Sequence, residues 1–142
     1  MSRRMQFAET DMAGIVHFSN FFRFMEETEH AFFRSLGLEI HGTRGGHMFG
    51  WVRVHAECDY SRPARYMDEL DIQLSVRSMT SKSIDYEILF RLGAADGLEE
   101  KIARGEMRVV HVCKGPDDER MRAREMPADV ARLIEVSPHH ST

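Results

Sequence analysis

Apolar side chains recur at helical spacing from about residue 18 to about residue 36. Phe18, Phe22, Met25, Phe32 and Leu36 stand three, four or seven positions apart, the spacing of one helical face. Ser19 and Asn20 suit its start and Gly37 its stop. Phe21, Phe24 and Phe33 widen the apolar surface beyond one stripe, so this helix is predicted to be buried on more than one side. Beyond it the period changes to two. Val52, Val54, Ala56, Cys58 and Tyr60 alternate with Arg53, His55, Glu57 and Asp59, which predicts a half-buried strand. Leu70, Ile72, Leu74 and Val76 predict a second, and Ile84, Tyr86, Ile88, Phe90 and Leu92 a third. The short connection at 79–82 reads as a hairpin, and the Gly93-Ala-Ala-Asp-Gly97 segment carries turn chemistry for the next. A last long strand is predicted from about Lys101 to Cys113, stopped by Gly115-Pro-Asp-Asp118. A strand near Arg3 to Glu9, a short helix near Pro127 to Ile134 opened by the proline, and a disordered tail at 137–142 complete the reading.

One strand, one apolar helix and then four antiparallel strands make an α+β order, most simply packed with the sheet around the helix. The chain of 142 residues fits one domain, over 1–136. A domain of this size leaves apolar surface and sheet edges that an oligomer would cover.

The net charge of −4 and the absence of a basic, aromatic-interleaved stretch speak against nucleic-acid binding. No apolar run approaches a membrane span, and the Met-Ser-Arg-Arg start has no apolar core of a secretory signal. Cys58 and Cys113 fall in strand-like runs and read as reduced, buried thiols of a cytoplasmic protein. His17, His41, His47, His55 and His111 are scattered without paired ligand spacing, and His139 and His140 sit in the tail, so no catalytic metal is expected. No phosphate-binding glycine loop is present.

The segment Asp11-Met-Ala-Gly-Ile-Val-His-Phe-Ser-Asn20 stands directly before the aromatic-rich helix. By itself Asp-x-x-Gly is what a turn or helix cap looks like. Together with Tyr60-Ser-Arg-Pro-Ala-Arg-Tyr-Met-Asp-Glu-Leu70 and Arg122-Ala-Arg-Glu-Met-Pro127, in this order and spacing, it resembles the 4-hydroxybenzoyl-CoA thioesterase family over nearly the whole chain. The resemblance implies a hotdog fold, a five-stranded antiparallel sheet wrapped around a long central helix. It also implies hydrolysis of an acyl-CoA thioester by a homodimer or homotetramer, with coenzyme A present only as part of the substrate and no separate cofactor.

On the same resemblance Asp11 takes the catalytic carboxylate role. Thioester hydrolysis needs a nucleophile or an activated water, and donors where charge develops on the carbonyl oxygen. Gly14 permits close backbone approach, and the helix start offers unpaired amides and a positive dipole end, assigned here to the backbone of Phe18 and Ser19. Whether Asp11 attacks or activates water stays open. Where some relatives carry a histidine this chain has Phe18, with His17 one residue earlier. His17 reads equally as an acyl-pocket wall, a proton-transfer partner or a loop histidine. Glu9 stands where many relatives have a second Asp. Asn20 and Phe21 read as substrate contacts, or as a cap and a core residue. Glu26, on the helix, occupies the region where another subgroup places its carboxylate, and reads here as structural. Lys82 is the candidate coenzyme A cation, with Arg62, Arg65 and the Arg120, Arg122, Arg124 cluster as weaker ones. The 42–47 loop reads as a gate or a flexible connection.

Two other functions compete. A hotdog hydratase would use an Asp and His pair, which Asp11 and His17 loosely imitate without the proline-bearing hydratase pattern. A non-catalytic acyl-CoA sensor would usually add a DNA-binding segment, for which there is no room before Asp11, and it would not need the acidic residue there.

Overall fold

The computed structural model describes residues 1–93 and 99–134. Its period-two runs become long strands and its helical run a helix of 17 residues. In chain order the elements are β1 (Ser2–Arg4), a single 3-10 turn (Phe7–Glu9), α1 (Ser19–Ser35), β2 (His41–Arg44), β3 (His47–Tyr60), β4 (Glu69–Met79), β5 (Ser83–Gly93), β6 (Glu99–Lys114), β7 (Arg122–Ala123) and α2 (Ala128–Leu133). One curled antiparallel sheet runs β1-β4-β5-β6-β3-β2, with β7 on the end of β6.

The α+β order holds, but among the described residues the sheet has seven strands and not five. The segment expected as a strand from Arg3 to Glu9 is a strand only over Ser2–Arg4 and then turns. Two strands went unforeseen because they are too short for an alternation to show, β7 and β2. The 42–47 loop is the tip of a β2–β3 hairpin, with Gly45 and Gly46 both at positive φ (59° and 82°). A Gly-Gly pair between strands is a turn signal, because primed hairpin turns need that backbone region. The turn expected over 93–97 and the tail expected from residue 137 fall outside the described residues, Gly93 apart.

In β3 the alternation is interrupted. Its register against β6 slips between Arg53 and His55, and one extra residue in a strand changes which face the following side chains meet. Val52 and Val54 are 47% and 57% exposed, whereas Arg53 turns toward the helix and bonds Glu29 at 3.0 Å. β4 and β5 follow the prediction, with Leu70, Ile72, Val76, Ile84, Tyr86, Ile88 and Phe90 all buried.

The helix also differs from its forecast. It lies along one face of the sheet, and its buried side is Phe21, Phe24, Met25, Thr28, Glu29 and Phe33, while Phe18 and Phe22 are exposed. Two polar residues disguise this stripe in the sequence. The Thr28 hydroxyl satisfies itself on the Phe24 carbonyl at 2.7 Å, a bond a helix offers to Thr without outside help. Glu29 reaches Arg53. Burial pushes the Glu29 carboxyl above its usual range, against the opposing pull of Arg53. The folded chain thus holds this proton more tightly than the unfolded chain does. Its contribution to stability is present at acid pH and is lost as pH rises through and beyond the ordinary carboxylate value. Glu29→Gln should therefore show a flatter decline of stability between mildly acidic and neutral pH than wild type, read by denaturant unfolding at several pH values. Parallel pH curves would mean that the carboxyl is not titrating in this window.

Candidate functional site

The loop from Glu9 to Phe18 is tied down on every side. The Asp11 amide donates to the Ile15 carbonyl at 2.8 Å, and Gly14 N donates to the Asp11 carbonyl at 3.0 Å. Gly14 sits at φ +81°, a region open to Gly at no steric cost. Val16 N donates to the Ala64 carbonyl at 2.7 Å, and Ile15 bridges Arg65. At the tip of this closed turn the Asp11 side chain is exposed. One of its oxygens, Oδ1, accepts the Ala13 amide at 2.8 Å, so the carboxylate is oriented by its own turn.

Below the tip the loop rests on Glu9, which is only 2% exposed. Its carboxylate accepts from the Gln6 amide (2.8 Å), from Arg3 (2.7 Å) and from Arg23. Burial alone would raise the Glu9 carboxyl, but the bond from Arg3, the Gln6 amide and the charges of Arg3 and Arg23 outweigh it and hold the carboxyl below the usual range. The Glu9 carbonyl is shared by the His17 amide at 2.9 Å and the Asn20 side-chain amide at 2.8 Å. Asn20 is thus spent on the loop. The expected second acidic residue is the loop's anchor.

The helix start lies against this loop. Phe18 is its cap residue, and its carbonyl accepts the Tyr60 hydroxyl at 2.9 Å. The Phe18 amide donates to nothing among the described residues. The Ser19 amide is directed at His17 Nδ1 at 3.3 Å, and the Ser19 hydroxyl lies 2.7 Å from the same nitrogen. Because an amide can only donate, Nδ1 is the acceptor and the proton of the neutral ring sits on Nε2. The His17 ring stacks on Phe18, centroids 4.5 Å apart.

A cleft of about 440 Å³ joins these parts, with Asp11, Ile15, Phe18, Phe21, Tyr60 and Ala64 among its walls. Phe21 closes its floor, edge-on to Tyr60 and Phe90 at 5.2 and 5.1 Å. Of the residues singled out from sequence, Asp11, Gly14, His17, Phe18, Ser19, Asn20, Phe21 and Arg65 gather at this loop. Lys82 does not. It sits in the β4–β5 turn, ten strand residues away along β4, or about 33 Å. Arg62 does line the cleft, its guanidinium paired with Glu100 at 2.7 Å. Sequence reasoning missed Tyr60 as a wall of the site and the Arg3–Glu9–Arg23 clamp. Tyr60 stood in the quoted motif, but only a contact with Phe18 reveals its place.

Cys58, near this end of β3, has its thiol pushed up to about 11 by burial, so it stays protonated at neutral pH and is no nucleophile. Among the described residues no group of three or more His, Cys, Asp or Glu could hold a metal ion. No described helix is long and apolar enough to cross a membrane.

Residues 5–134 match the Thioesterase-like superfamily. A putative esterase of Aquifex aeolicus (strain VF5) is 38% identical over 78 residues, a local match spanning 55% of this chain and 60% of that protein. A 1,4-dihydroxy-2-naphthoyl-CoA hydrolase of Synechococcus sp. (strain WH7803) is 26% identical over 96% of this chain and 88% of its own. Among solved structures, a mutant 4-hydroxybenzoyl CoA thioesterase complexed with 4-hydroxybenzoyl CoA superimposes with a TM-score of 0.82 at 25% identity. That match covers 95% of this chain and 96% of the other.

Proposed function

Since this chain belongs to the Thioesterase-like superfamily, we propose that it hydrolyses an acyl-CoA thioester to the free acid and coenzyme A, with Asp11 carrying the attack. The observation that supports this most is the meeting of an exposed, oriented carboxylate and a free Phe18 amide in one cleft at a helix start. As general base, Asp11 takes a proton from water, and the hydroxide adds to the thioester carbon. As nucleophile, its own oxygen adds and the mixed anhydride is then opened by water. In both routes the carbonyl oxygen gains negative charge that the Phe18 amide and the positive helix end stabilise, and the C–S bond then breaks with coenzyme A leaving as thiolate. The Nε2–H of His17 is a hydrogen-bond donor suited to steadying that thiolate while the proton Asp11 took from water, or a proton from solvent, neutralises it, or else the ring is a wall of the acyl pocket. The Ser19 amide, directed at His17, joins the oxyanion role only when that bond opens. No separate cofactor is required, and the cytoplasm, where acyl-CoA is made and used, is the expected compartment.

The test is product analysis over a panel of aryl and alkyl acyl-CoAs that includes an enoyl-CoA. Free thiol and free acid in equal amounts support hydrolysis. Consumption of the enoyl group without thiol release would point to the hydratase instead. Tight binding without turnover would point to a sensor or to an acyl-carrier substrate.

The site extends, in this proposal, across two copies of the chain. β2 covers β3 only through Gly50, so the edge from Trp51 to Tyr60 is unpaired among the described strands. An open edge with exposed valines favours pairing with another strand. Two copies related by a two-fold axis meet antiparallel, which sets the Tyr60 end of one β3 beside the Trp51 end of the other. Lys82 lies at that second end, its carbonyl accepting the amide of His111, and His111 is the register partner of Trp51. Asp11 of one copy and Lys82 of the other then serve one coenzyme A. Mixing Asp11→Asn chains with Lys82→Glu chains should recover about a quarter of wild-type activity at low substrate, because half of the random dimers carry one intact site. No recovery after subunit exchange would place both residues' roles within one chain.

A further inference from the structure

The start of α1 is held from the sheet by a residue that the chemistry above does not use. Tyr60, the last residue of β3, donates its hydroxyl to the Phe18 carbonyl at 2.9 Å. Its ring stands edge-on to Phe21, with 5.2 Å between centroids, and to Phe18 at 6.5 Å. Packing asks only for the ring, which phenylalanine would supply equally. Tyr60 is 43% exposed, so solvent is at hand for its hydroxyl, yet the hydroxyl is committed to a backbone carbonyl at a helix start.

A peptide unit is a rigid plane, so a bond to its oxygen also aims its N–H. The Phe18 carbonyl shares a plane with the Ser19 amide, and it accepts the Phe21 amide at 3.2 Å as well as the Tyr60 hydroxyl. The His17 carbonyl shares a plane with the Phe18 amide and accepts the Asn20 amide at 3.0 Å. Phe18, at φ −55° and ψ −34°, joins the two planes. Swinging its carbonyl away from Tyr60 therefore turns the residue that carries the free amide. Hydrogen bonds along a chain also polarise one another, so an occupied carbonyl makes the N–H of its plane a stronger donor. The Tyr60 hydroxyl keeps its proton for this bond. Partial burial beside Cys58 pushes its ionisation above the ordinary phenol range. The Cys58 thiol, itself pushed up to about 11 by burial, is uncharged at neutral pH and offers only a weak competing acceptor.

We propose that Tyr60 is a positioning residue for thioester hydrolysis: by holding the Phe18 carbonyl it aims the Phe18 amide at the thioester oxygen and keeps the Ser19 amide turned to His17. This rests on the hydrolytic reading above. The hydroxyl acts through the backbone, and more on the transition state than on the bound substrate, because the charge on the thioester oxygen is larger in the transition state.

Tyr60→Phe should lower kcat about tenfold and leave KM within about twofold, the signature of an interaction that matters only in the transition state. Its thermal unfolding midpoint should stay close to that of wild type, because the ring remains on Phe21. A raised KM at unchanged kcat, or neither constant moved, would overturn the proposal. A spectroscopic measurement separates aim from general disturbance. The probe is 4-hydroxybenzoyl-CoA, isotope-labelled at its thioester carbonyl and bound to the Asp11→Asn protein. The infrared stretch of that carbonyl should move to lower frequency on binding, since donors at the oxygen weaken the C=O bond. Adding Tyr60→Phe to the same protein should reverse a large part of the shift. An equal shift with and without the hydroxyl would overturn the proposal. This readout needs no turnover. Failure of the hydrolytic reading would show separately, as no thiol release by the wild-type protein, with the carbonyl shift and its dependence on Tyr60 still measured.

Discussion

Asp11→Asn is expected to lower kcat for thioester hydrolysis by roughly 10²–10⁴-fold, the range over which a positioned acid–base group contributes, with KM changed little. Asparagine has nearly the shape of aspartate. Its side-chain oxygen can still accept the Ala13 amide that Asp11 Oδ1 accepts at 2.8 Å, so the turn is kept. The bonds that close the loop, from Asp11 N to the Ile15 carbonyl and from Gly14 N to the Asp11 carbonyl, are backbone bonds and survive. What is lost is the charge. An amide neither attacks a thioester nor takes a proton from water. Initial rates of thiol release over a range of substrate concentrations, beside a thermal unfolding curve, read both halves of this expectation. A kcat within a few fold of wild type would move the chemistry to another residue of the cleft or of the helix, with His17 and Glu26 next to be changed.

Phe24→Ala should be the most destabilising of the substitutions near the site, by about 3–5 kcal/mol. Phe24 is fully buried. Its ring packs 5.8 Å from Phe21, and the Arg3 guanidinium lies 4.2 Å from its centroid. Truncation removes apolar burial and leaves a cavity, and it also removes a cation–π contact held away from water. Out of a typical total of about 5–15 kcal/mol, that is a large share, and a melting temperature lower by roughly 10–20 °C is expected for a domain of this length. The loss reaches the site through Arg3. Its guanidinium holds the Glu9 carboxylate, and the Glu9 carbonyl holds both His17 and Asn20. Activity per folded molecule should thus fall as well, well below the melting transition. A variant that melts early yet keeps full activity at low temperature would show that Phe24 supports the core and not the loop.

These two residues show what was legible before the structure. Asp11 stood out because a short loop motif and its neighbours were read together, and the loop does sit at a helix start beside an open cleft. Phe24 was seen only as an extra phenylalanine widening the helix. Its central place was hidden because the buried stripe includes Thr28 and Glu29, whose polarity is answered locally by Phe24 O and by Arg53. The strands β4 and β5 were readable from alternation alone. β3 was readable only in part, because one slipped residue near Val54 changes the facing of its side chains, and a bulge leaves no mark in an alternating pattern. β2 was legible from Gly45-Gly46 had the pair been weighed as a hairpin turn. The clamp of Glu9 by Arg3 and Arg23 joins residues that no periodicity links. The gap between Asp11 and Lys82 belongs to the same class, since sequence spacing carries no information on which end of a strand a turn falls.

The most direct test of the account is simultaneous measurement of free thiol and free acid when the wild-type chain is given an aryl-CoA such as 4-hydroxybenzoyl-CoA. The account predicts catalytic, one-to-one release of both, slowed by roughly 10²–10⁴-fold in the folded Asp11→Asn protein. Absence of release from every acyl-CoA tried, by a folded protein that still binds them, would contradict it.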